Sequence, residues 1–451
     1  MKRRGLTGAV FGLLAAAFFI AACAHFLTRD VETDAAAEKA PRGFNGIIES
    51  HARDQFKQGR EVFRYDTFGS EAFWGGELKL HQAILGQKLG GAGPGLGPKD
   101  ALKAGLKVDV GKLPRILVDA IKQKSVSLED PKTTLALLEA DAVVGVKAFF
   151  DPKKNLTAIG VTCAICHSTV DNSFADGIGA RLDGWPNRDL NIGAIVALAP
   201  NLKPFTDATG VDDKELRRIF NSWGPGRYDA ELNMDGKAFR PDGKTAATLL
   251  PAAFGLAGVN LHTYGGWGGV THWNAYVANT QMHGKGRFFD PRLNNKEKFP
   301  LAVKSGVWNK ADGEDLITSK LAALHYYQLS IPAPKPPENS YDKAAAARGA
   351  NVFNGKARCA ACHVPPLFTE PGWNMHSGKE IGIDDFQANR SPDGKYRTTP
   401  LKGLFARMKG GFYHDGRFAT LRDVVDHYGK VFNSGLSEQE KNDLVEYLKS
   451  L

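Results

Sequence analysis

Cysteine is scarce in this chain. Five occur among 451 residues, and four of them fall into two short motifs. That leaves Cys23 without a partner and excludes a disulfide framework. A basic block is lacking too. The formal charge is +9, but Lys and Arg are scattered and no nucleic-acid motif accompanies them, so nucleic acid is excluded as a partner. The excess charge reads as a solvated basic surface, with a docking patch for an acidic redox partner as the secondary reading. The stretch Gly90-Gly-Ala-Gly-Pro-Gly-Leu-Gly-Pro98 lacks both the preceding strand and the Lys-Ser/Thr sequel of a phosphate cradle, and is expected to form a mobile surface loop. With 50 Gly and 23 Pro, the composition favours helices set among long connections over regular sheet.

What is present is Cys-x-x-Cys-His, twice: Cys163-Ala-Ile-Cys166-His167 and Cys359-Ala-Ala-Cys362-His363. Thiols at i and i+3 share one face of a helical turn, where both can bond the vinyl groups of one porphyrin. The adjacent His then reaches the iron as proximal ligand. A thioredoxin-like redox pair needs no trailing His and would not occur twice. A four-Cys zinc site closes over a shorter gap than the 196 positions from Cys163 to Cys359. The motifs therefore predict two covalently bound c-type haems, with Cys163, Cys166, Cys359 and Cys362 as attachment residues and His167 and His363 as iron ligands.

The N-terminus reads as an export signal. Met1-Lys-Arg-Arg4 is a positive start, and Leu6 to Ala22 is an apolar run of 17 residues ending in Ile20-Ala-Ala-Cys23-Ala. Ile-Ala-Ala-Cys resembles a lipoprotein box in which Cys23 is lipidated, Ala22-Cys-Ala24 fits ordinary cleavage, and an uncleaved anchor is the third option. Residues 1–23 are thus a signal peptide or lipoprotein signal and 24–45 a tether. Haem attachment outside the bacterial cytoplasmic membrane agrees with a periplasmic location, with membrane contact only through an N-terminal anchor.

The remainder carries a duplication. Gln58-Gly59-Arg60-Glu61-Val62-Phe63 resembles Arg348-Gly349-Ala350-Asn351-Val352-Phe353, and Leu316 to Leu329 parallels Leu444 to Leu451. Each pair reads as the first and closing helix of a cytochrome c domain. Ile331-Pro-Ala-Pro-Lys-Pro-Pro337 is a stiff linker between them. The expected fold is all-α, with a first haem domain at 46–337, enlarged by an insertion at about 82–150, and a second at 338–451. Within the insertion, Thr133 to Phe149 shows a helical pattern.

The segment Thr398-Thr-Pro-Leu-Lys-Gly-Leu404, Gly411-Phe-Tyr-His414-Asp-Gly416 and Ala419-Thr-Leu-Arg-Asp-Val-Val-Asp-His427-Tyr428 resembles the C-terminal signature of the bacterial di-haem cytochrome c peroxidase and MauG superfamily. The resemblance implies a low-spin haem on His363. Its distal ligand is Met in the peroxidases and Tyr in MauG, and Tyr428 aligns with that place. His414 competes for the role, as in the bis-His iron of the rubber oxygenases of the same superfamily; His427, Met408 and Met375 are further candidates. Trp267, within Gly265-Gly-Trp267-Gly-Gly269, aligns with the tryptophan that lies between the two haems.

Over the other haem the peroxidases place a Gln and a Glu. Here the stretch is Asn279-Thr-Gln281-Met282-His283-Gly284, with no carboxylate. Cleaving hydrogen peroxide heterolytically requires a group that moves a proton between its oxygens. Gln281 cannot titrate; His283 can, or it can ligate the iron, as can Met282. The rubber oxygenases also lack that Glu and bind dioxygen in apolar surroundings. Phe63-Arg-Tyr-Asp-Thr-Phe-Gly-Ser-Glu-Ala-Phe-Trp74 resembles their N-terminal segment, and Tyr264, Trp267, Trp273, Phe288 and Phe289 offer an apolar wall. The resemblance therefore implies an oxidoreductase that activates hydrogen peroxide or dioxygen above His167, with Trp267, Gln281 and His283 as candidate catalytic residues and the haem on His363 as electron relay. Its partners would be a small redox protein or a small-molecule electron donor or acceptor. The alternative is a pure electron-transfer cytochrome with both irons six-coordinate. Calcium is common between the domains of the peroxidases; here the corresponding loop reads Met408-Lys-Gly-Gly411 in place of Thr-x-Pro, and calcium stays undecided.

Overall fold

Two glycines mark how the chain closes on itself. In the computed structural model, which describes residues 43–451 apart from Lys124, Gly59 lies in the helix Phe44–Tyr65 and Gly349 in the helix Lys343–Asn354. A Cβ on Gly59 would come within 1.9 Å of the Ala323 carbonyl oxygen and 2.7 Å of Tyr327 Cβ. A Cβ on Gly349 would come within 2.0 Å of the Asp443 carbonyl oxygen and 2.8 Å of Tyr447 Cβ. Only glycine allows backbones this near. The partners belong to the helices Leu321–Ser330 and Glu438–Lys449, which overlap the paralleled segments Leu316 to Leu329 and Leu444 to Leu451. Aromatic pairs repeat the match: Phe63 meets Tyr327 at 5.5 Å and 60°, and Phe353 meets Tyr447 at 5.2 Å and 65°.

The chain divides at Gln55/Phe56 into two units, and residues 56–451 hold both Cys-x-x-Cys-His motifs. The described part of the first unit is the N-terminal stretch of the Phe44–Tyr65 helix. The expected signal segment and Cys23 lie outside the described residues. Among the described residues no helix is long and apolar enough to cross a membrane.

Helix dominates, at 42% of residues against 10% strand, so the all-α expectation holds only in that coarser form. Five two-stranded sheets are present among the described residues. The largest corrects the helical pattern read over Thr133 to Phe149. A helix occupies Pro131–Glu139, and Val146–Phe150 is a strand paired antiparallel with Leu156–Val161. Two residues end the helix: Asp141 turns left-handed at φ 54°, and Gly145 at φ 81° lies where a Cβ would strike the Ile165 backbone at 2.1 Å. The β-branched and aromatic run beyond then favours extended chain. The Gly90–Pro98 stretch is tied down by hydrogen bonds from Ala92 N to Gln82 O (2.8 Å) and Leu96 N to Ile84 O (3.0 Å).

A large core spans the first motif, from Phe63 to Tyr327, with Cys163 and Cys166 packed against it. A smaller core of Phe353, Phe368, Leu404, Leu421, Val425, Leu444 and Leu448 carries Cys359 at its side. Beside the first motif, the buried carboxylate of Asp183 accepts from Arg64 Nε (2.6 Å), Arg181 Nε (2.9 Å), Ser168 Oγ (2.7 Å) and Tyr327 OH (2.5 Å). It thereby ties the opening helix, the strand after His167 and the closing helix together.

Candidate functional site

Both Cys-x-x-Cys-His motifs adopt the same local chemistry. Ala164–His167 forms one helical turn and Cys359–Ala361 a 3-10 turn, which brings each pair of thiols to one face. The thiols are unpaired. Burial pushes Cys163 and Cys166 up to about 12 and Cys359 to about 11. A redox pair or a thiolate metal site needs the opposite shift. An environment that disfavours charged sulfur suits a thioether.

The two histidines are oriented alike. His167 Nδ1 lies 3.1 Å from the Pro251 carbonyl oxygen, and His363 Nδ1 lies 3.0 Å from that of Phe368. A carbonyl only accepts, so each Nδ1 carries the proton and each Nε2 keeps its lone pair. Burial lowers both rings to about 4, which keeps them neutral at pH 7. This is the tautomer and charge state that an iron ligand requires.

The candidate distal segment of the first motif follows the helix Val270–Thr280. Gln281 is half-buried, and Met282 is buried. His283 stands in the left-handed region at φ 57°. Its ring stacks on Phe73 at 3.5 Å and 6°, with Phe205 (5.9 Å) and Trp74 (6.0 Å) edge-on. Trp74 Nε1 donates to the Met282 carbonyl at 2.8 Å. The structure thus joins the Phe63–Trp74 segment to Met282 and His283. Burial, with the Lys310 ammonium adding to it, lowers His283 to about 3.

Trp267 is 1% exposed in a separate aromatic core with Trp273 (4.6 Å), Tyr276 (5.3 Å) and Phe288, and Arg292 lies over its ring at 5.6 Å.

Around the second motif, Tyr428 lies within electrostatic reach of both Cys359 and Cys362, and burial raises its phenol. Tyr413 adjoins it, ring centroids 6.1 Å apart. His414 is 2% exposed, its Nε2 has no hydrogen-bond partner, and it stacks on Tyr396 at 5.3 Å. His427 Nε2 pairs with the Ile381 carbonyl at 2.8 Å, which occupies that nitrogen. Met408 is 39% exposed, and Met375 Sδ would meet a Cβ on Gly266 at 3.1 Å. Cys362, Glu370 and His376 also bring donor atoms within 4.8 Å of one another, but His376 is held between Glu370 (2.6 Å) and Glu380 (2.7 Å).

No family model matches the chain. Over 153 residues it is 31% identical to the methylamine utilization protein MauG of Methylorubrum extorquens, covering 29% of this chain and 43% of that protein. Over 190 residues it is 28% identical to the cytochrome-c peroxidase IdrP1 of Denitromonas iodatirespirans, covering 30% and 50%. The chain is similar, at low identity, to proteins of the di-haem cytochrome c peroxidase and MauG superfamily. It matches about half or less of the length of these curated superfamily relatives. A solved structure of a MauG-like protein associated with microbial copper homeostasis aligns at 20% identity over 51% of this chain and 78% of that one, with a TM-score of 0.27, too low to argue from.

Two further groups had no signal in the sequence. One is a buried acidic set, Asp229, Glu231 and Asp235 around Arg390. The other is a set of arginines, Arg188, Arg397 and Arg407, which line a cavity of about 430 Å³. Neither has a local motif; both assemble residues from distant parts of the chain.

Proposed function

We propose that this protein is an exported di-haem c-type oxidoreductase of the bacterial periplasm. In this reading hydrogen peroxide or dioxygen is activated at the haem on His167, and the haem on His363 relays electrons. The observation that carries the proposal is the matched pair of motifs, each with half-buried thiols held uncharged and a histidine whose Nδ1–H is fixed on a backbone carbonyl. Bound haem would supply an iron that binds and reduces hydrogen peroxide or dioxygen, and a second iron that stores an electron.

The chain's own residues would divide the work. The Pro251 and Phe368 carbonyls hold the two imidazoles in their ligating tautomer. Phe73, Trp74 and Phe205 exclude water around His283 and fix its ring. With His283 held to about 3, its affinity for a proton at pH 7 is too low for it to act well as a general base, since an effective base titrates near the working pH. That supports the dioxygen alternative and a lean towards the rubber-oxygenase-like branch. Tyr428, in reach of both thiols of the second motif, is the favoured distal ligand there, ahead of His414.

The test is to produce the protein with c-type maturation and count haems by pyridine haemochrome and intact mass. Two haems per chain are expected, falling to one in Cys163→Ser/Cys166→Ser. A single haem in the unaltered protein would refute the proposal. Oxygen uptake against peroxide turnover then separates the two activities.

A further inference from the structure

The cavity lined by Arg188, Arg397 and Arg407 gathers three cations without a counter-charge. Arg188 is 8% exposed, its Nε has no partner, and its Nη1 reaches the Lys409 carbonyl, at 3.2 Å. Arg407 Nε is likewise buried and unpartnered, while its Nη2 reaches the carbonyls of Pro400 and Lys402. Arg397 donates to the carbonyls of Leu261 (2.7 Å) and Thr263. Among the described residues, none of the three has a carboxylate within ion-pair distance, whereas the fully buried Arg390 has two. Burial lowers Arg397 to about 9 and Arg407 to about 10, the mark of cations held without counter-charge. Such a cluster is costly unless anions join it.

The position of the cavity says which anions. Its wall includes Pro251, whose carbonyl holds His167, and Leu367, Thr399 and Arg407; Arg407 lies within electrostatic reach of His363. Arg188 follows Asn187, whose backbone N–H donates to the Cys166 carbonyl at 2.9 Å. The guanidinium wall therefore spans from the first haem motif to the second. A porphyrin bonded at either motif brings two carboxylates with it, and guanidinium is the side chain best matched to a carboxylate in two-point contact.

We propose that Arg188, Arg397 and Arg407 form a propionate clamp between the two haem sites, pairing with carboxylates of the porphyrins attached at Cys163/Cys166 and Cys359/Cys362. This rests on the di-haem reading above. The clamp neutralises propionate charge at the junction and holds both haem edges in one cationic wall. A cation beside a propionate favours the reduced iron, so loss of one should lower that haem's potential. Tyr264 lines the same space, within hydrogen-bonding reach of Arg188.

The experiment uses the holoprotein and first counts its haems, which isolates failure of the di-haem reading from failure of the clamp. With two haems present, spectroelectrochemical titration of Arg407→Gln should show a downward shift of one midpoint potential, and Arg188→Gln a downward shift of the other. Arg407→Lys, which keeps the charge, should recover most of the shift. Resonance Raman spectra of the unaltered protein should show propionate bending bands at the position of hydrogen-bonded carboxylates, and the band should move in the Gln variants. Unchanged potentials in both Gln variants at full haem content would overturn the clamp. So would bending bands of free, solvated propionates in the unaltered protein, a readout that stands even if a variant fails to fold.

Discussion

Replacing Arg390 with Met should destabilise the protein severely, because it strips the counter-charge from a buried acidic set. The guanidinium is 0% exposed. Its Nη2 lies 2.9 Å from Asp229 Oδ1, its Nε and Nη2 lie 2.8 and 3.0 Å from the Asp235 oxygens, and its Nη1 donates to the Ala246 carbonyl at 3.2 Å. Glu231, itself 7% exposed, adds a third carboxylate. Breaking a buried pair from one side costs about 3–5 kcal/mol, and here the contact joins positions 155 apart in the chain. Urea unfolding at pH 7 should show that loss, and adding Asp235→Asn to Arg390→Met should recover part of it. The same set predicts a pH dependence. Burial, partly opposed by Arg390, raises Asp229 to about 6 and Glu231 to about 7. Between pH 4.5 and 7 the unfolded chain releases these protons while the folded protein keeps them. Stability is therefore full in mild acid and is lost as pH rises through the folded values, by on the order of 3 kcal/mol for Glu231 at 1.36 kcal/mol per pK unit. Glu231→Gln should flatten that slope. An Arg390→Met protein within about 1 kcal/mol of the parent, together with stability that does not fall from pH 4.5 to 7, would refute the reasoning.

Further predictions concern the helix crossings and the two haem sites. Gly59→Ala and Gly349→Ala each set a methyl against backbone, at 1.9 and 2.0 Å from carbonyl oxygens. The helices must separate, and each variant should lose about 1–3 kcal/mol or more in thermal unfolding. Trp74→Phe removes the donor to the Met282 carbonyl and should cost about 1–3 kcal/mol, with a changed optical spectrum of the haem on His167 as the local readout. Tyr428→Phe should abolish the low-spin spectrum of the haem on His363; an unchanged spectrum transfers the ligand role to His414.

The parts of this molecule that could be read from sequence are those whose chemistry is local. Haem attachment needs Cys, Cys and His within five residues, so the motifs stand out. The glycine crossings were visible as a repeat because each needs one small residue at a fixed place on a helix. The Thr133–Phe149 segment misled because a short apolar run suits helix and strand equally, and the left-handed Asp141 and the packed Gly145 decide it only through tertiary contact. The resemblance brought His283 forward as a base or ligand, but its stacking on Phe73, 210 positions away, carries no sequence signal. The same holds for Trp267, whose alignment with a bridging tryptophan says nothing of the aromatic core in which it sits. The Arg390 set and the arginine cavity were illegible for the same reason.

The central claim is that two haems in one chain play unequal parts. Electron paramagnetic resonance of the oxidised holoprotein tests it most directly. The expected result is one high-spin ferric signal, shifted by cyanide, from the haem on His167 and one low-spin signal from the haem on His363. Two low-spin signals, unmoved by cyanide or by reduction of the second haem, would contradict it and leave an electron-transfer cytochrome.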